Sequence, residues 1–179
     1  DIFAPVAREP VSSDHALTES VLNAAATLDS LELSVTLDEM FALGSFETVV
    51  DTNLLPTMEA LGHAWATGRV GVAGEHLVAN AVMRRLAASY EAAAANRTGP
   101  RVLIGLAPGA HHEIGLFAFA IAARRHGIHA DYLGANLPVD DWSKASSSSN
   151  VVAAVLAIPT KADVTPTRRI ISAIQMTTP

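Results

Sequence analysis

Cysteine is absent from the 179-residue chain, which removes disulfides, thiolate metal sites and a cysteine nucleophile together. No apolar run reaches the roughly 18 residues that a membrane-spanning helix needs. A secretory leader is also missing, so the composition predicts a cytoplasmic protein. Basic residues are few: 12 Lys and Arg stand against 18 Asp and Glu, for a formal charge of −6. A surface of that sign repels nucleic acid, whose affinity rests on Lys and Arg neutralising phosphates. The pairs Arg84-Arg85, Arg124-Arg125 and Arg168-Arg169 sit at helical spacing among apolar residues and read as solvated helix faces, so no direct nucleic-acid contact is expected. Charged residues make up 17% of the chain and hydrophobic ones 50%, which excludes an intrinsically disordered chain. Phosphate-cradling loops of the G-x-x-x-x-G-K-[ST] or G-x-G-x-x-G type are missing, and so is the zinc-protease helix H-E-x-x-H. The first residue is Asp1 rather than Met, as expected of a fragment or a processed chain.

The first half of the chain reads as helix. Leu17, Val21, Leu22, Ala25 and Leu28 recur at spacings of three and four over residues 14–28, with Ser13 or Asp14 as N-cap. A second helix is predicted over 32–43, ending at Gly44-Ser45. A third covers 46–67, with Val49, Val50, Leu54, Met58, Leu61 and Trp65 on one side and a kink or break at Pro56. A fourth runs from about Gly71 to Asn96 through Leu77, Val78, Ala81, Val82, Leu86 and Tyr90. Amphipathic helices with short connections make a four-helix bundle.

The period changes after Thr98-Gly99-Pro100, the best linker in the chain. Strands are predicted at 101–107, 128–133 and 151–158, with helices at 113–127, 138–148 and 162–175 between and after them. That alternation predicts a parallel, doubly wound sheet, and hence an α/β chain with a helical cap. Domains of this kind have about five strands, so the sheet reads as unfinished: a truncated C-terminus or a minimal variant.

Ligands of open α/β sheets bind beyond the carboxyl ends of the strands, which makes the turn Ala107-Pro108-Gly109-Ala110-His111-His112-Glu113-Ile114-Gly115 the first candidate site. Locally it reads either as a polar loop with a histidine capping the next helix, or as a site in which one imidazole faces a ligand. The second dense stretch runs from Leu61 to His76. Trp65 closes the third helix; Glu75 and His76 open the fourth, and Val72 lies one turn from His76. These residues read either as core and solvated surface or as a second half-site.

Taken together, the two stretches resemble a known family. Trp65, nine residues and then Glu75-His76 is similar to the Trp-x9-Glu-His signature of cobalamin-binding light sensors of the CarH type. Those proteins place a four-helix bundle before a Rossmann-like (flavodoxin-like) cobalamin domain, the order read here. Ala110 to Gly115 resembles the family's Asp/Glu-x-His-x-x-Gly motif. The similarity runs over most of residues 20–179, including Tyr132-Leu133-Gly134 and the Pro138 to Trp142 turn. The resemblance implies a cap over 1–97 and a cobalamin domain over 98–179, with 5′-deoxyadenosylcobalamin as cofactor. It assigns His112 as the lower axial ligand of cobalt, for which a neutral imidazole is a good donor. Gly109 and Gly115 would admit the displaced nucleotide tail. Trp65 and Val72 would pack on the adenosyl group, and Glu75 would hydrogen-bond its ribose or amine. After light breaks the cobalt–carbon bond, His76 would take the vacated upper position and the bundle would shift. A light-responsive homo-oligomer and a signalling role without enzymatic activity follow from the same resemblance.

The match departs from the family at three places. Ala110 stands where an acidic residue orients the ligand histidine, and Ala157-Ile158-Pro159 lacks the serine of a Ser-x-Leu element in the tail pocket. A later Gly-Gly motif is missing. No helix-turn-helix is read before Asp14, so a DNA-binding domain is expected outside the chain, or the chain is a stand-alone sensor. The stand-alone photocobilins resemble it in the cap and also bind a linear tetrapyrrole; without cysteine, a bilin such as biliverdin would be held non-covalently. Two other readings are a corrinoid methyl carrier of a methyltransferase system and an unrelated α/β domain. His15, His63, His126 and His129 read as surface or packing residues.

Overall fold

The computed structural model describes residues 13–93 and 99–177. The helix end near Asn96 and Thr98 of the linker lie outside the described residues, as do the side chains of Ser13 and Asp14 proposed as caps. The chain divides into two compact units, one ending at Val82 and the other beginning at Met83.

The first unit is helical. Helix α1 (Ser13–Thr27) buries Val21, Leu22, Ala24 and Ala25. Its end corrects one expectation: Leu28 is not part of the apolar stripe but is 55% exposed, with a left-handed φ of 57°. The Leu28 N–H donates to the Ala25 carbonyl and the Asp29 N–H to the Ala24 carbonyl, the six-to-one closure that stops a helix. Asp29 then caps α2 (Ser30–Phe41), accepting from the N–H groups of Leu31 and Glu32. Ser45 caps α3 (Phe46–Val49) in the same manner, at the Thr48 N–H.

Pro56 acts one turn ahead of itself. Val50–Leu54 form a π-helical turn, closed by the Leu55 N–H on the Val50 carbonyl, and α4 (Leu55–Ala66) follows with the proline in its first turn. Proline has no N–H and its ring crowds the carbonyl four residues back. Widening the preceding turn relieves both problems without ending the helix.

α5 (Val72–Ala92) begins in this unit. Its first turn lies against the end of α1 so closely that a Cβ on Gly74 would sit 2.2 Å from the Ala25 carbonyl oxygen. Glycine is required there by space alone.

In the second unit the described residues form a three-stranded parallel sheet in the order β2-β1-β3. The strands are β1 (Arg101–Leu106), β2 (His129–Gly134) and β3 (Val151–Ala157), and the helices are α6 (Ile114–Arg125), α7 (Val139–Ser146) and α8 (Val164–Thr177). The central strand β1 is apolar on both faces, as a doubly covered parallel strand must be. Leu103 and Ala107 pack with Trp142 of α7 and Ile170 of α8, while Ile104 and Leu106 alternate to the opposite side and are fully buried. Gly105 lets Trp142 approach: a Cβ there would meet the indole at 3.0 Å.

The outer edge of β2 is covered by a side chain. The Tyr90 hydroxyl, near the end of α5, donates to the Ala130 carbonyl (3.1 Å) and accepts from the Tyr132 N–H (3.0 Å). Arg124 also donates to the Ala130 carbonyl, and its guanidinium lies over the Tyr90 ring. Together they occupy the hydrogen-bonding groups that an edge strand exposes.

Gly74→Ala and Gly62→Ala should shift stability in opposite directions. At Gly74 the added methyl collides with backbone and should cost about 1–3 kcal/mol. At Gly62, inside α4 with nothing within 4 Å of the added carbon, it should stabilise by about 0.5–1 kcal/mol. Urea unfolding of the two variants and the parent measures both.

Candidate functional site

Each unit presents one group of candidate residues. In the second unit it is the turn between β1 and α6. The turn closes on itself through the Ala110 N–H and the Ala107 carbonyl. Gly109 has a left-handed φ of 83° and open space where a side chain would start, so it is conformation that requires glycine here. Ala110 is buried, and this small side chain is what the close turn accepts. His111 and His112 follow, both exposed. His112 therefore presents an accessible imidazole at the carboxyl end of the central strand. Gly115 lies exposed in the first turn of α6.

Two contacts hold this turn that the sequence reading did not identify. The Gly109 N–H donates to the Asn136 side-chain oxygen at 2.8 Å, and the Asn136 N–H donates to the Ala110 carbonyl at 3.1 Å. On the other side of the histidines, the Tyr132 hydroxyl donates to the Glu113 carboxylate at 2.7 Å. Tyr132 stacks on Phe117 with centroids 4.4 Å apart and meets Tyr90 edge-on. Burial, reinforced by the Glu113 carboxylate, pushes the Tyr132 phenol far above its ordinary value, so it keeps the proton that it donates to Glu113. A tyrosine within a strand and an asparagine following Gly134 were the available signals.

In the first unit the group surrounds the connection from α4 to α5. The Gly68 N–H returns to the Trp65 carbonyl and the Val70 N–H to the Ala64 carbonyl, so the chain doubles back at once. Trp65 is 53% exposed and Val72 58%. Trp65 thus departs from the buried stripe predicted for its helix, whose members Val49, Val50, Leu54 and Leu61 are buried. Glu75 is half-buried and His76 exposed, with Nε2 of His76 3.5 Å from the Glu75 carboxylate. The four residues singled out in this stretch are all accessible in the unit that carries them.

A clamp on α1 holds the connection. Arg69 places two guanidinium nitrogens on the Glu19 carboxylate, at 2.7 and 3.3 Å, and one also reaches the Asn23 side-chain oxygen at 2.9 Å. The hydrogen bond from Arg69 holds the Glu19 carboxyl below its ordinary value.

The other histidines lie apart from both groups. His63 is 3.9 Å from Glu59 on the exposed face of α4. His129 has a closer setting than expected: its Nε2 lies 3.6 Å from Asp131, which also pairs with Arg101. At the end of β3, the Thr160 hydroxyl donates to Asp163 at 2.7 Å, so it does not replace the serine missing at Ala157. Among the described residues, no group of three or more His, Cys, Asp or Glu could hold a metal ion, and no helix is long and apolar enough to cross a membrane.

Residues 17–89 match the family model described as B12 binding domain. The chain is 35% identical over 147 residues to the HTH-type transcriptional repressor CarH of Myxococcus xanthus, covering 79% of this chain and 49% of the relative. It is 32% identical over 122 residues to the repressor CarA of the same organism, covering 68% of this chain and 41% of the relative. The chain thus spans about half the length of these relatives. Among solved structures it resembles the Methanosarcina barkeri monomethylamine corrinoid protein, with a TM-score of 0.69 at 12% identity over 92% of this chain and 79% of that one. At that identity the likeness bears on the fold alone, and it agrees with a helical unit followed by a Rossmann-like sheet.

The Arg69–Glu19 clamp sets a pH dependence. Because the Glu19 carboxyl is lowered in the fold, its contribution is complete above the ordinary glutamate range and is lost as pH falls through the lowered value. Glu19→Gln should therefore be less stable than the parent at about pH 7, and the gap should close towards about pH 3. Urea midpoints of both chains across that range test this.

Proposed function

We propose that this chain, residues 17–89 of which match the B12 binding domain family model, is a light-sensing adenosylcobalamin module that signals without being an enzyme. The observation that carries the reading is that each unit leaves its own candidate residues accessible: His112 at the carboxyl end of β1 in one, and Trp65, Val72 and His76, with Glu75 half-buried, in the other. A lone imidazole gives too few donors for a bare ion. It suffices for cobalt, whose equatorial donors arrive with the corrin, so the residues present fit the cofactor.

When bound, adenosylcobalamin supplies a cobalt–carbon bond that light breaks. The protein's part follows from its own side chains. His112 would be the residue that offers a ring nitrogen to the metal, and its exposed position on a closed turn leaves the imidazole accessible for that. Trp65 and Val72 offer apolar surface to an adenosyl group, whose removal from water favours binding. Glu75 accepts a hydrogen bond from the ribose or amine. His76, next to it, would offer a second imidazole to the same cofactor. Covering or uncovering Trp65 and Val72 would change the apolar surface that this unit leaves exposed. A shift in conformation or in a homo-oligomer would then pass the signal to transcriptional control through a DNA-binding partner or domain. The relatives' description as repressors supports that output, and the absence of an acidic partner at Ala110 leaves the positioning of His112 to other residues.

The test is loading with adenosylcobalamin in the dark, followed by desalting, a visible spectrum and illumination with green light. Retained cofactor with a light-driven spectral change is expected. His112→Ala should lose the cofactor on desalting. His76→Ala should retain it in the dark and give a different spectrum after illumination. Retention with methyl exchange and no stable photoproduct would favour the methyl carrier instead. A parent chain that fails to retain cobalamin, or a His112→Ala chain that retains it fully, would overturn the proposal.

A further inference from the structure

We propose that Tyr132 and Asn136 are positioning residues for the cobalt ligand: they hold the two ends of the turn that carries His112 and take the place of the acidic partner missing at Ala110. The inference rests on the reading of His112 as lower ligand.

A turn that presents an imidazole to a metal must be ordered before binding, or binding must supply the ordering. The usual device is a carboxylate or carbonyl on the imidazole's second nitrogen. With Ala110 buried at the position of the acidic residue, the turn contains no such carboxylate there. What the structure shows instead is backbone held from β2 and the segment that follows it. Asn136 takes the Gly109 N–H on its side-chain oxygen and gives its own N–H to the Ala110 carbonyl. The neighbouring Leu137 N–H donates to the Leu106 carbonyl at 3.2 Å, tying the same segment to the last residue of β1. Asn136 does this with a left-handed φ of 56°, a conformation that asparagine tolerates better than most residues and that persists where surrounding bonds enforce it.

The opposite end of the turn is held at Glu113, immediately after His112. Its carboxylate accepts the Tyr132 hydroxyl at 2.7 Å. Tyr132 is itself fixed three ways: by pairing with Ile104 in the sheet, by stacking on Phe117 and by its N–H on the Tyr90 hydroxyl. His111 and His112 therefore project from a short segment whose two ends are tied to rigid elements, while the imidazoles themselves stay exposed. Holding the backbone limits where the imidazole can go and leaves its nitrogens for the metal.

Three substitutions separate this from a general structural role. Tyr132→Phe keeps the stacked ring and removes the hydroxyl. Asn136→Gly keeps the left-handed backbone and removes the side-chain acceptor. Glu113→Gln keeps an oxygen that accepts from Tyr132. Each chain is loaded anaerobically with cob(II)alamin in the dark. The readouts are the dissociation constant and, on chain grown with 15N-labelled histidine, the electron paramagnetic resonance spectrum, which separates cobalt held by a histidine nitrogen from cobalt held by the cofactor's own benzimidazole or by no nitrogen. Urea unfolding of the unloaded chains distinguishes weak loading of a folded chain from loss of the fold. Tyr132→Phe and Asn136→Gly should fold, bind roughly tenfold more weakly and show added cobalt without a histidine nitrogen, while Glu113→Gln should match the parent. The inference is overturned if the first two variants load with parental affinity and spectrum, or if Glu113→Gln is as impaired as Tyr132→Phe. A parent chain that binds cob(II)alamin without a histidine nitrogen on the cobalt would remove the ligand reading itself, and this inference with it.

Discussion

The function proposed for the chain depends on one constraint, that an imidazole be left bare at the carboxyl end of a buried parallel strand while the backbone on either side of it is held. β1 meets the first half of this constraint because it is apolar on both faces and central in the sheet. A strand so placed is the most rigid point the second unit offers. The turn leaving it inherits that rigidity at Ala107 and regains it at α6. Between them, the Gly109 N–H donates to the Asn136 side chain and the Tyr132 hydroxyl donates to the Glu113 carboxylate, and neither imidazole is spent on holding the fold.

The helical unit answers a different physical requirement. It keeps a large aromatic and a branched side chain, Trp65 and Val72, out in solvent beside a carboxylate and an imidazole. Apolar side chains so exposed gain from any ligand that covers them. The connection bearing them is fastened to α1 at Gly74 and Arg69, so the exposed set is carried on a braced segment. Glycine at 74 and the Arg69–Glu19 pair therefore bear on how Glu75 and His76 are presented.

Much of this was legible in sequence, and the failures have physical causes. The change from helical to alternating period after Pro100 located the sheet, and the residues flanking each strand ended it where expected. The break anticipated at Pro56 became a π-helical turn before it, since one wide turn satisfies the proline at less cost than a new helix end. Leu28 was assigned by spacing to the apolar stripe of its helix, and Trp65 to the same side of its helix as residues that are buried. Spacing tells which residues share a face and not whether the face is covered, and both residues lie where a helix closes. His112 and the Trp65, Val72, Glu75 and His76 set could be singled out as candidates because each belongs to a local pattern. Tyr132 and Asn136 were not, because their partners in the turn lie 19 and 27 residues away and depend on sheet register and a left-handed backbone.

The most direct measurement concerns the nitrogen beneath the cobalt. Chain grown with 15N-labelled histidine and loaded with unlabelled cob(II)alamin in the dark would be examined by electron paramagnetic resonance. Ligation by His112 requires each cobalt line to split into a doublet from one 15N nucleus, and that splitting to vanish when His112 is replaced. A triplet, from the 14N of the cofactor's own benzimidazole, would contradict the account.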